Sequence, residues 1–129
     1  MARAAVKIGL DGITAEGILR VEDHRLSKRQ VVLSGPPCLE TTLKVVRELR
    51  AALGEEVPIR MSGGASSGKD VFRILEAGAN AVNIYTAFIY QGPGVAARIN
   101  SGLLEKMDEE GVGFVGAIRR CLPVSRETS

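Results

Sequence analysis

Leu39, Leu43, Val46, Leu49 and Leu53 recur at the three-to-four-residue spacing of one helical stripe, and Gly54 stands where a left-handed C-terminal cap is needed. The pattern predicts a helix over 39–53. Val57 to Met61 follows as a compact apolar run that reads as a strand, then Ser62-Gly63-Gly64-Ala65-Ser66-Ser67-Gly68 as a loop. Ser67, with Asp70 three residues on, caps a second helix in which Val71, Ile74 and Leu75 face inward and Gly78 ends the run. Ala81 to Tyr85 is the next strand. Ala87-Phe88-Ile89 begins a short helix, and Gly92-Pro93-Gly94 breaks the chain before a long helix with Ile99, Leu103 and Met107 on one face. Pro93 suits the first turn of that helix.

The flanks are less regular. Residues 2–8 read as the last turns of a helix, and Asp11 to Ala15 as a short strand supported by Ile13 and Thr14. Glu16 to Gln30 is polar and without periodicity, which marks a functional loop or a mobile one. A final short helix is expected through Phe114 to Ile118.

Strand, helix, strand, helix, strand, helix with tight connections implies an α/β fold with a parallel sheet and right-handed crossovers. One architecture that fits is an open doubly wound sheet. The other is part of a (β/α)8 TIM barrel, whose eight units normally need about 250 residues. About three units are present, so the barrel reading is a partial one, a single domain over 1–129 with a free strand edge at each end.

Composition narrows the chemistry. With 45% apolar residues the chain can bury an ordinary core, and 17 basic against 15 acidic residues give no field suited to nucleic acid. No apolar run approaches the length of a membrane span, and the first residues lack the apolar core of a signal peptide. Cys38 and Cys121 are far apart and outside any metal-ligand spacing, so they read as plain thiols. His24 lies among Glu22, Asp23 and Arg25 and reads as a solvated residue, not a general base.

The most informative stretch is Pro58 to Thr86. A strand ending in Ser62-Gly63-Gly64 leaves successive N–H groups unshielded, a concavity suited to a phosphate, although a tight turn needing positive φ explains the glycines equally well. A second strand ending in Ile84-Tyr85-Thr86 and a short helix beyond it supply the other parts of the phosphate site common in barrels. Gly63, Gly68 and Lys69 match the spacing of a nucleotide P-loop, but Asp70 stands where a hydroxyl should meet Mg²⁺ and would repel a triphosphate. Lys69 is read as a solvated first-turn residue.

These blocks, together with Leu33-Ser34-Gly35-Pro36-Pro37, Val46-Arg47-Glu48-Leu49, Leu75-Glu76-Ala77-Gly78-Ala79 and Gln91-Gly92-Pro93-Gly94, resemble the C-terminal part of dihydroorotate dehydrogenases. The resemblance runs from about Gly9 to Ile118, and Tyr85 to Gly94 is most like the quinone-dependent branch. It implies an FMN-dependent barrel that oxidises dihydroorotate to orotate in pyrimidine biosynthesis and passes electrons to a quinone. Carried over residue by residue, Ser34 and Gly35 contact the flavin side, Gly63 and Gly64 cradle the FMN phosphate, and Tyr85 and Thr86 complete it, with Ser62 and Ile84 in the same set. The family's setting is a mitochondrial inner membrane or a bacterial plasma membrane, reached through N-terminal helices.

The departures carry expectations too. The family's Thr-Asn-Thr run after Asp-Gly is replaced by Glu16-Gly17-Ile18 after Asp11-Gly12, which removes amide hydrogen bonds and sets a carboxylate near an anionic substrate. Arg60, Met61 and Ser62 replace small or apolar residues; Arg60 either pairs with an anion or caps a strand less buried than in a full barrel, and the second reading is adopted. The family's catalytic Ser or Cys, its flavin-contacting Lys and several Asn ligands belong to earlier strands. Lys7 matches the end of the helix before Asp11-Gly12 and not that lysine, so no catalytic residue is assigned and the chain is expected to be incomplete as an enzyme by itself. The expectations are the C-terminal segment of a dihydroorotate dehydrogenase, as a truncated product, an excised fragment or one half of a split enzyme, a non-catalytic relic that keeps a phosphate cradle and binds FMN or another phosphorylated ligand, or a module that self-associates through its sheet edges.

Overall fold

A computed structural model of the chain describes residues 1–25, 27 and 30–113. Its elements, in order, are α1 (Ala2–Lys7), β1 (Ile13–Glu16), β2 (Leu19–Glu22), β3 (Gln30–Leu33), a 3-10 turn Pro36–Cys38, α2 (Leu39–Leu53), β4 (Ile59–Ser62), α3 (Gly68–Glu76), β5 (Ala81–Asn83), α4 (Thr86–Gln91) and α5 (Val95–Glu109). The expected helix at 114–118 and Cys121 lie outside the described residues.

β1, β4 and β5 form a parallel sheet in the order β1-β4-β5. Side chains alternate across a strand, so the register fixes two faces. Ile59 and Met61 of β4 are fully buried, level with Ile13 and Ala15 of β1, and Val82 of β5 is level with Met61. This face meets Leu43 and Val46 of α2, Val71 and Ile74 of α3, and Val95 and Ile99 of α5 in one core. Each such aliphatic side chain contributes about 1.5–3 kcal/mol by leaving water. On the opposite face the rows are Thr14, Arg60, Ala81 and Glu16, Ser62, Asn83, all exposed except the half-buried Ser62.

The stripe on α2 buries as its spacing predicts, and Gly54 adopts φ 75° as its N–H donates to the Arg50 carbonyl. Arg50 then ties α2 to the next βα unit. Its guanidinium donates to the carbonyls of Val57 and Gly78 and to Asn80 Oδ1, which also accepts the Ile59 N–H at 2.8 Å. α3 opens with the expected capping box, Ser67 Oγ accepting from the Asp70 N–H while Asp70 accepts from the Ser67 N–H. Gly68 has a second reason to be glycine: a Cβ there would lie 2.2 Å from the Leu103 nitrogen, so its absence lets α3 and α5 touch backbone to backbone.

Three boundaries differ from the expectation. β1 spans Ile13–Glu16 in place of 11–15, β4 Ile59–Ser62 in place of 57–61, and β5 stops at Asn83, because ladder pairing and not apolar content decides where a short strand begins and ends. Pro93 precedes the N-cap residue Gly94 of α5 and so lies in the turn, outside the helix. The polar stretch 16–30 is not a plain loop. β2 pairs antiparallel with β3 from Leu19↔Leu33 to Glu22↔Gln30, a hairpin whose alternation is too brief to stand out between charged residues.

Candidate functional site

The C-terminal ends of β1, β4 and β5 and the hairpin enclose a cavity of about 250 Å³. Glu16, Gly17 and Ile18 come from the end of β1, Val32 and Leu33 from β3, and Ser34, Gly35 and Cys38 from the turn into α2. Ser62, Gly63, Gly64 and Ala65 continue β4, while Asn83, Tyr85 and Thr86 lead from β5 into α4. Seven of the residues singled out in the sequence therefore meet here: Ser34, Gly35, Ser62, Gly63, Gly64, Tyr85 and Thr86. Ile84 does not, since it packs against the core.

Gly63 and Gly64 both adopt positive φ, at 110° and 83°. Each also sits against protein. A Cβ on Gly63 would meet the Gly17 carbonyl at 2.8 Å, and one on Gly64 would meet Leu39 at the start of α2 at 2.5 Å. The glycine pair is thus dictated by close packing of the loop on β1 and α2 as well as by the turn. What the packing leaves is a set of bare amides: the N–H groups of Gly64, Tyr85 and Thr86 donate to no acceptor among the described residues. Gly64 is buried, and a buried amide without an acceptor is costly unless water or a ligand meets it.

The residues that sequence reading did not single out fix the wall. Thr42 is fully buried, and its hydroxyl donates to the Gly63 carbonyl at 3.0 Å. Gly17 lies against it so closely that a Cβ would fall 1.9 Å from Thr42 Oγ1, while the Gly17 N–H donates to the Ser62 carbonyl at 2.9 Å. Glycine at position 17 is therefore built into the packing. Cys38 is buried, with Sγ donating to the Leu33 carbonyl at 3.1 Å, and is held as a structural thiol. Thr42 lies on the buried stripe of α2 and could have been found as a polar residue among apolar ones; Cys38 and Asn83 gave no such signal.

Among the described residues, Glu16 is the only charged one in the cavity wall, which there has no Lys, Arg or His. Any anion here is held by amides and hydroxyls, as at other glycine-lined concavities. Arg60, on the adjoining row of the open sheet face, is exposed and forms no ion pair or side-chain hydrogen bond among the described residues. Lys7 ends α1 and His24 lies in the turn after β2, both exposed and outside the cavity wall. Beside His24, the side-chain and backbone hydrogen bonds of Arg25 hold the Asp23 carboxyl below its usual range.

A second, more open depression lies between the start of α3 and α5. Its groups are already committed. Asp70 accepts from the N–H groups of Ser66 and Ser67 at the start of α3, the amides that a P-loop phosphate would need. Lys69 is exposed, and Lys106 is held above the usual lysine range by Glu110 and then Glu109.

Residues 1–107 match the family model described as "Dihydroorotate dehydrogenase". The quinone-type dihydroorotate dehydrogenase of Allorhizobium ampelinum is 30% identical over 123 residues, covering 92% of this chain and 34% of that protein. The mitochondrial quinone-type enzyme of Oryza sativa subsp. japonica is 32% identical over 116 residues, or 86% of this chain and 25% of that one. The crystal structure of the Eimeria tenella enzyme in complex with ferulenol superposes with a TM-score of 0.77 and 32% identity, over 89% of this chain and 32% of that chain. The chain spans a quarter to about a third of the length of these relatives. With residues 1–107 matched by the family model and its fold superposing on that enzyme over most of its length, the chain belongs to the dihydroorotate dehydrogenase family.

Proposed function

We propose that this chain forms the last three βα units of a (β/α)8 barrel and supplies the FMN phosphate-binding loops of a dihydroorotate dehydrogenase. The observation that carries the reading is the set of acceptor-free amides of Gly64, Tyr85 and Thr86, displayed with Gly63 just past two neighbouring parallel strands. Backbone amides displayed at such a turn suit a phosphate dianion. Ser34 and Gly35, on the facing wall, would lie along the flavin, and Ser62 and Thr86 add hydroxyls.

Bound FMN supplies a hydride acceptor for the oxidation of dihydroorotate to orotate and a route for electrons to a quinone. The residues of this chain hold and orient; no side chain in the cavity wall is placed as the proton-abstracting base, so activity requires the remaining strands of the barrel. The assembled protein works at a mitochondrial inner membrane or a bacterial plasma membrane, as its quinone-type relatives suggest. Among the described residues no helix is long and apolar enough to cross one. The unpaired outer edges of β1 and β5 favour a second role for the chain, association with the polypeptide that completes the sheet or with further copies.

The test is titration of the purified chain with FMN, read by flavin fluorescence. Saturable quenching that is lost when Gly64 is replaced by proline, which removes its N–H, is expected. Absence of quenching overturns flavin binding by this chain. Dihydroorotate-dependent dye reduction by the chain alone overturns the claim that it is incomplete.

A further inference from the structure

Among the described residues Thr42 is the only polar side chain in the buried core, set on α2 against Gly17 and Gly63. A hydroxyl in such a place is costly unless hydrogen-bonded, and the acceptor it finds is the Gly63 carbonyl at 3.0 Å. That carbonyl belongs to the peptide group joining Gly63 to Gly64. Both flanking residues are glycine, with φ of 110° and 83°, and with no Cβ on either side this peptide plane can turn over at little cost. The Gly64 N–H lies in the same plane, trans to the carbonyl, and points to whichever side the carbonyl does not. The preceding peptide is fixed separately, because the Ser62 carbonyl accepts the Gly17 N–H at 2.9 Å. The freedom of the loop is therefore concentrated in the one peptide that Thr42 holds.

We infer that Thr42 is the positioning residue of the phosphate loop: by holding the Gly63 carbonyl toward α2, it turns the Gly64 N–H toward the cavity and the phosphate. The inference deepens the proposed function and rests on it for the identity of the anion. Thr42 itself meets no ligand, since it is fully buried and outside the cavity lining. Its effect passes through a single peptide plane. Without the hydroxyl, the Gly63 carbonyl is left in the core with no donor, and turning the peptide over relieves that cost. A carbonyl oxygen then faces the anion where an N–H did before. One neutral hydrogen bond biases such an equilibrium about three- to ten-fold, and this is the loss of phosphate affinity expected when it is removed.

The experiment compares the full chain with Thr42→Val and Thr42→Ala, which remove the hydroxyl, and with Thr42→Ser, which keeps it; far-ultraviolet dichroism identifies the variants that fold. In the isotope-labelled chain without ligand, the residual dipolar coupling of the Gly64 N–H, measured against the amides of α2, reads the orientation of the peptide. It is expected to change in Thr42→Val and Thr42→Ala and to keep its unaltered value in Thr42→Ser. Titrations with FMN and with riboflavin, which lacks the phosphate, follow by flavin fluorescence. The hydroxyl-free variants are expected to bind FMN about three- to ten-fold more weakly with riboflavin unaffected, and Thr42→Ser to restore FMN. A coupling that stays put in a folded hydroxyl-free variant overturns the inference, as does an equal loss of FMN and riboflavin affinity, the mark of a packing role alone. Failure of the unaltered chain to bind FMN counts against the proposed function instead, and the coupling, read without flavin, still decides whether Thr42 sets the peptide.

Discussion

Gly17, Thr42 and Gly63 meet where β1, α2 and the loop after β4 converge, and there is no room among them for one more carbon. A methyl at position 17 would overlap the Thr42 hydroxyl, so α2 must shift away from the sheet and break the Thr42 hydroxyl bond to the Gly63 carbonyl. Gly17→Ala is therefore expected to cost about 2–4 kcal/mol of stability. Gly113→Ala, where a Cβ meets nothing, is expected to be near neutral; thermal unfolding of the two variants checks the contrast. At this scale the sequence was partly legible. Gly63 and Gly64 announce themselves as a pair after a strand, and their positive φ was foreseeable. Gly17 reads in the sequence only as a missing amide, because what demands glycine there is a residue on α2, 25 positions further along the chain. Arg50 escaped for the same reason: an arginine on a helix carries no sign that its partners are carbonyls of the next unit.

The helices α2, α3 and α5 were legible because each carries enough turns for a stripe to declare itself, and their caps are local chemistry. Asp70 illustrates how much one side chain can do at that level. It accepts from the Ser66 and Ser67 N–H groups and the Ser66 hydroxyl, satisfying the start of α3 and leaving that start with no capacity for an external anion. Asp70→Ala is expected to destabilise the chain by about 1–2 kcal/mol in denaturant unfolding, without changing FMN binding at the separate cavity. The β2–β3 hairpin was illegible because four residues per strand leave little period-two signal: β2 has two apolar positions, and Val31-Val32-Leu33 of β3 do not alternate at all. Leu19 and Val21 on one strand were lost among Arg20, Glu22 and the charged turn that follows.

At the scale of the molecule, helices and a single core cover one face of the sheet and leave the other polar. A closed barrel fills that interior with bulky branched side chains. On the partial-barrel reading proposed above, Thr14, Glu16, Arg60, Ser62, Ala81 and Asn83 take their place, which suits a water-lined or ligand-lined interior. The alternation that produces this face was visible in Ile59-Arg60-Met61, yet which side met helices followed only from the three-dimensional stacking of α2, α3 and α5. Tyr85, Phe88, Ile89 and Tyr90 expose apolar surface around α4, just beyond the free edge of β5. A polypeptide carrying the five preceding βα units of a relative is expected to bind this chain one to one and to protect Tyr85 and Tyr90 from surface labelling. A mixture that sediments as two separate species contradicts that expectation.

The order β1-β4-β5 also carries a consequence in symmetry. In a parallel sheet the outer edge of β1 and the outer edge of β5 are different surfaces, so joining one copy to the next along them is a head-to-tail contact that must either close into a ring or run on as a filament. The described residues of each copy add three strands to such a sheet, so rings of them hold multiples of three and never the eight of a (β/α)8 barrel. On the proposed partial-barrel reading, the described sheet of this chain therefore does not build an eight-stranded barrel by self-association, and an unlike segment of five strands completes it.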